Sequence, residues 1–182
     1  MDANTQAILK AHQLWLTNPA TGAQAVIRGQ DCTGYDFTPY NLSKAIMPWC
    51  NLTGCTMSAN CQETNFVGCF GTGVDFSASD ISNSTFEKAQ IPGFDFTGAL
   101  WNGVGITAIS PCLIDDNHWT FATNAFVQIG CAQNTLAQWQ AIGALQTTLN
   151  AYLQDYPEID PTEMWNWWQT NQQVILNWYS AL

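Results

Sequence analysis

Positive charge is what this 182-residue chain has least of: Lys10, Arg28, Lys44 and Lys88 are its only basic residues, and nothing after residue 88 is cationic. Proteins hold a phosphate backbone through Lys and Arg, so direct nucleic-acid binding is excluded, and an anionic membrane surface is disfavoured for the same reason. Charge of either sign is scarce, at 10% of residues against roughly 25% in an ordinary soluble domain, with a formal net charge of −10. Solubility must therefore rest on Asn, Gln, Ser and Thr. No run approaches the ~18 apolar residues of a membrane span, and MDANTQAILK has no basic stretch leading into an apolar core. The expectation is a soluble protein made in a cytoplasm.

Metal and catalytic signatures are missing as well. The seven cysteines (Cys32, Cys50, Cys55, Cys61, Cys69, Cys112 and Cys131) include no C-x-x-C pair, and His12 and His118 lie far apart, so no zinc site is expected. An odd count without an export signal argues against a disulfide scaffold. There is no nucleophile elbow and no phosphate loop, and Asp115-Asp116, without a nearby base, reads as a turn. No catalytic residue, cofactor or metal ligand is assigned.

What is present is 47% apolar residues, enough for one full-sized domain or for two unequal ones sharing a core. They follow an unusual period. In GFDFTGALWNGVGIT, residues 93–107, the large apolar residues Phe96, Trp101 and Ile106 return every fifth place, which fits neither the 3.6 of a helix nor the 2 of a strand. The chain divides into fives from Ala25, with one four-residue unit, CTMS, at 55–58. The third places run Ile27, Cys32, Phe37, Leu42, Met47, Leu52, Met57, Cys61, Phe66, Gly71, Phe76, Ile81, Phe86, Ile91, Phe96, Trp101 and Ile106, and only Gly71 lacks an apolar side chain. First places are mostly small, second places often Asp or Asn, fourth Ser or Thr, fifth Gly. Such a unit points one small and one large residue inward and turns a corner each time.

This register resembles the pentapeptide-repeat family, over residues 25–108. The resemblance implies an all-β solenoid: a right-handed parallel quadrilateral β-helix with four quintets per coil and coils ~4.8 Å apart. Seventeen units would make about four coils, a rod roughly 20 Å tall. It also implies that Cys32 and Cys61 fill large inward places and Cys50, Cys55 and Cys69 small ones, as compact apolar groups. If CTMS still spans one face, Phe37, Met57, Phe76 and Phe96 stack in one column, and Ile27, Met47, Phe66, Phe86 and Ile106 in another. Tyr35, Tyr40 and Phe94 at small places should widen their corners, and Gly71 should leave room for a bulky neighbour.

A solenoid must cover its open ends. Residues 1–24 offer a capping helix, with Asn4 or Thr5 as N-cap, an apolar face of Ile8, Ala11, Trp15 and Leu16, and His12 on the polar side. Residues 109–182 follow the repeats with HWTFATNAFVQIGC, read as strand or irregular structure. A helical pattern then carries Leu136, Trp139, Leu145, Leu149 and Leu153, weakened at Gly143. A last helix opens with Asp160 as N-cap, Pro161 and Glu163, and has an apolar face of Met164, Trp168, Ile175, Trp178 and Leu182. This tail resembles the segment after the repeats in many phage-encoded pentapeptide-repeat proteins, where an Ile-Gly-Cys strand leads into Trp-rich helices.

The expectation is a non-catalytic phage structural or docking protein, virion-associated or of capsid-decoration type. Its partners would be other virion subunits or a second copy, met through the C-terminal helices. It would be made in the host cytoplasm and carried in the virion. Trp165, Trp167, Trp178 and Tyr179 are the candidate interface, because one helix face cannot bury that much aromatic surface; the opposite possibility is that all pack inside. The alternative function is an acidic DNA mimic that inhibits a host DNA-binding enzyme such as a topoisomerase through a column of Asp36, Asp75 and Asp95. The repeats carry seven acidic residues against three basic ones, well below duplex charge density.

Overall fold

The computed structural model describes residues 1–90, 93–110, 113–114, 119–129, 132–155 and 160–181. Its first element, α1 (Ala3–Thr17), lies against the first coil. The N-cap is Asp2, not Asn4 or Thr5: its carboxylate accepts the Thr5 N–H at 3.0 Å. The buried stripe is Thr5, Leu9 and His12, while Ile8, Ala11, Trp15 and Leu16 are half-buried flanks. The expected face is thus rotated, because Thr5 and His12 both find hydrogen-bond partners on the repeats.

From Val26 onward the chain stacks on itself through parallel bridges. Val26 pairs with Ile46, Asp31 with Asn51 and Asp36 with Thr56, an offset of twenty residues. Pairs that span the short CTMS unit, such as Ile46 with Asn65 and Thr56 with Asp75, are offset by nineteen, and above it the spacing returns to twenty. Four units therefore make one coil, and the four-residue unit still fills a place. The expected columns form: the Phe76 and Phe96 rings stack at 5.0 Å, those of Phe66 and Phe86 at 5.1 Å, and all of the third-place apolar residues from Ile27 to Phe86 are buried. Phe94 joins this aromatic cluster, 5.6 Å from Phe76. Strands β1 (Val74–Asp75) and β2 (Phe94–Asp95) are the regular part of one such face.

Each corner is a turn in which a first-place N–H donates to the third-place carbonyl three residues back, as from Ala45 to Leu42 at 2.8 Å. Most fifth places take the left-handed conformation, which explains the glycines there; Lys44, Trp49, Glu63, Asn83 and Lys88 adopt it without that freedom. Two expectations fail at special positions. Gly71 makes room for main chain and not for a bulky side chain: a Cβ there would press on Thr53 N and Leu52 C of the coil below. Tyr35 does not fill the interior but reaches the cap, its hydroxyl donating to the Asp2 carboxylate at 2.6 Å.

The parallel stack ends in a hairpin. β3 (Leu100–Trp101) pairs antiparallel with β4 (Val104–Gly105) across Asn102-Gly103, both with positive φ, the preferred composition of a tight two-residue turn. Ile106 consequently folds back onto Ala99, its N–H donating to that carbonyl at 2.8 Å, and does not continue the Phe86 column. An antiparallel meander follows: β5 (Leu113–Ile114), β6 (Trp119–Ala122), β7 (Val127–Ile129) and β8 (Ala132–Asn134). Phe121 and Phe126 on one side of this sheet sit over the last coil, while Ala122, Val127 and Ile129 join a second core with Trp139, Met164, Trp168 and Ile175.

The helices of that second core are α2 (Leu136–Ile142), α3 (Gln146–Tyr152), a 3-10 turn (Leu153–Asp155) and α4 (Pro161–Ala181). The single helical pattern expected over 135–154 is split at Gly143, whose missing side chain accommodates the Trp168 indole. Leu145 accordingly sits exposed in the break and not on a buried face. Asp160 caps α4 as expected, accepting the Glu163 N–H at 3.0 Å. Ile91, Cys112, Asp115, Asp116, His118, Cys131 and Leu182 lie outside the described residues or side chains.

Candidate interaction surfaces

The second-place carboxylates and amides face outward, but their first partners are their own backbones. Asp31, Asp36, Asn51, Asp75, Asp80 and Asp95 each accept the N–H two residues on, at 2.8–3.1 Å. Asp or Asn in this position therefore holds the edge of each unit, a role beyond mere solubility. Hydrogen bonds from Thr33 and Thr38, those of the hydroxyls first, hold the Asp31 and Asp36 carboxyls below the usual carboxylate range. Asp36, Asp75 and Asp95 do lie in one column, bridged through Thr56.

The inward thiols are partnered as well. Cys50 Sγ donates to the Ile27 carbonyl, Cys55 to Cys32 and Cys69 to Met47, each at 2.9 Å. Thr64, Ser79 and Ser84 make the same bond at other first places, to Leu42, Met57 and Cys61. A first-place side chain is thus small and often also a donor, binding the third-place carbonyl of the coil beneath. Burial pushes the Cys55 thiol up to about 11 and the Cys61 thiol up to about 12. Hydrogen bonding with Cys50, and then burial, raise Cys32 and Cys69. Thiols raised in this way are protonated and poor nucleophiles; hydrogen bonds from Cys32 and Cys69 lower Cys50 instead, and its complete burial keeps that sulfur from reagents. Among the described residues no group of three or more His, Cys, Asp or Glu could hold a metal ion, and no helix is long and apolar enough to cross a membrane.

The tail aromatics fall on two sides of α4. Met164, Trp168 and Ile175 form the buried stripe. At 100° per residue, Trp165 and Tyr179 flank it on one side, and Trp167 and Trp178 on the other. All four are half-buried and touch the second core. Tyr179 also donates its hydroxyl to the Asn124 carbonyl at 3.2 Å, which ties the end of α4 to the sheet over the last coil. The structure thus gathers the four into two aromatic margins and not into one patch. Glu163 is the only charged residue of α4.

Sequence reasoning missed one feature at the opposite end. An open groove of ≈ 340 Å³ runs between α1 and the first coil, lined by Ala7, Ile8, Ala11, Ala23, Gln24 and the half-exposed Val26. Its signal was weak, because alanines at a helix flank look the same whether covered or open.

Residues 59–98 match the family model for pentapeptide repeats, in eight copies. A solved pentapeptide repeat protein from the Arabidopsis thaliana thylakoid lumen is similar at 24% identity, with 40% of this chain and 61% of that one covered and a TM-score of 0.18. The chain thus spans less than two thirds of that protein's length. No curated protein matches it.

Proposed function

We propose that this pentapeptide-repeat protein is a non-catalytic docking module of a phage particle, virion-associated or of capsid-decoration type, built on a right-handed quadrilateral β-helix. The observation that supports this reading best is the pair of uncharged aromatic margins on α4, Trp165 with Tyr179 and Trp167 with Trp178. Half-buried tryptophans beside a packed stripe are pre-ordered, so they bury further area at little entropic cost. Contacts made by such a surface depend little on salt. The partner is another virion subunit or a second copy; nucleic acid and membrane have no part in it. The phage assignment rests on the resemblance of the tail segment.

Mass spectrometry of purified particles tests the location, and absence from them sinks the reading. Changing Trp167 to Ala should abolish assembly or self-association and leave the melting temperature of the monomer nearly unchanged. If the melting temperature collapses instead, Trp167 is core and the interface is elsewhere.

A second reading is favoured by the alignment of Asp36, Asp75 and Asp95 on one face: an acidic inhibitor of a host DNA-binding enzyme. It predicts binding that weakens steeply with salt and fails when Asp75 and Asp95 become Asn. Against it stands the local engagement of those carboxylates with their own backbone N–H groups.

A further inference from the structure

His12 is buried to 0% exposure in an otherwise mostly apolar contact between α1 and the first coil. The sequence placed it on a polar face, and its actual position calls for another role. The ring stacks on Trp15 with centroids 5.6 Å apart, and its Nδ1 accepts the Ala25 N–H at 3.1 Å. An accepting Nδ1 puts the single proton of the neutral ring on Nε2. That atom is also buried and has no hydrogen-bond partner among the described residues.

An added proton can therefore go only to Nδ1. There it meets the Ala25 N–H, so two donors face each other where a bond had been, and a full charge sits in an apolar contact. We propose that His12 is a proton-operated latch, and that its protonation frees the C-terminal half of α1 from the first coil, uncovering Leu9, Ala25 and Ile27 and widening the groove beside Val26.

Among the described residues no nearby charge rescues the buried imidazolium. On α1, Lys10 lies on the far side of the helix and Asp2 at its other end. Residues 18–24 contain no titratable side chain. From the first coil, the Lys44 ammonium is directed to Glu63, and the Ser43 main chain favours the charged form less than burial opposes it. Burial thus holds the imidazole below its ordinary value. The Asp2 end stays closed, because hydrogen bonds from the Thr5 hydroxyl and from Tyr35 keep its carboxylate ionised far into acid. Release then pivots about Asp2 and Tyr35.

The sign follows from linkage. The unlatched ring, with a value near 6.5, binds more protons than the latched one, so closure is complete above about pH 6.5 and weakens about tenfold per unit as pH falls toward the lowered value. Hydrogen exchange on the full chain between pH 7.5 and 4.5, corrected for intrinsic rates, reads this directly. Protection of α1 and of the Ala25 amide should fall about tenfold per unit below pH 6.5, while amides at 66–86 hold steady. NMR should show one histidine, identified by its persistence in His118→Gln, titrating below 6.5. In His12→Gln, where a neutral amide oxygen can accept from Ala25, the acid-dependent loss should vanish. Unchanged acid opening in that variant overturns the proposal. So does a flat protection profile in the parent chain, which decides the matter even if His12→Gln loosens the cap at every pH.

Discussion

The two ends of the repeat stack face the same demand, an unpaired coil edge above an apolar interior, and meet it differently. At the N-terminal end a single helix does the covering, and side chains stand in for a strand. The Gln13 amide accepts the Asn41 N–H at 3.0 Å and donates to the Asn41 carbonyl at 2.9 Å, the pairing a neighbouring coil would have provided. At the C-terminal end the main chain itself reverses at Asn102-Gly103, and an aromatic sheet lies on top, with Trp101 and Phe126 at 4.9 Å. Side-chain pairing is local, polar and titratable, whereas strand pairing with aromatic burial is continuous with the stack. The N-terminal closure should therefore be the weaker and the more adjustable of the two.

Phe76→Asp erases the contrast altogether, since an unpaired carboxylate in the middle of the aromatic column costs several kcal/mol and both ends lose their support. A variant melting within a degree or two of the parent would mean the register is wrong. Phe126→Ala strikes only the C-terminal closure. It should cost about 3–5 kcal/mol and lower the main calorimetric transition, because that end is coupled to the stack. Gln13→Ala strikes the other closure and should cost about 1 kcal/mol per lost hydrogen bond, seen as faster exchange in α1 with little change in the main transition. If Gln13→Ala lowers that transition as far as Phe126→Ala does, the two ends are equivalent and the comparison fails. Smallest of all is the effect expected of a thiol reagent on the native protein: Cys50, Cys55, Cys61 and Cys69 should remain unlabelled in conditions that already open α1.

The interior was readable because it is periodic. Seventeen third places constrain one register, and the columns through Met57 and Phe76 follow from it even across the short unit. The ends are singular, and there local chemistry competes with pattern. Asn102-Gly103 fits the fourth and fifth places of a quintet and equally the turn of a hairpin, and only the sheet that follows selects the latter. Asp2 outcompetes Asn4 and Thr5 as N-cap because Tyr35 and Gln30, more than two dozen residues on, also reach it. His12 looked polar-facing since a single sequence does not reveal that Ala25 will offer it a donor. The aromatic residues of α4 are legible in the sequence, but their division into two margins depends on which stripe the sheet buries.

The hydrogen bonds from first-place side chains to the coil beneath carry a consequence for where such a chain can fold. Because Cys, Ser and Thr serve the same slot, what each thiol contributes there is a proton and a small volume, and neither requires a partner sulfur. Folding of the stack should then be indifferent to redox potential: reductant has no bond to break among Cys32, Cys50, Cys55, Cys61 and Cys69, and oxidant finds no exposed thiolate there to attack. A version with Ser at 50, 55 and 69 would keep the ladder of donors intact while leaving three fewer oxidisable sulfurs in the stack.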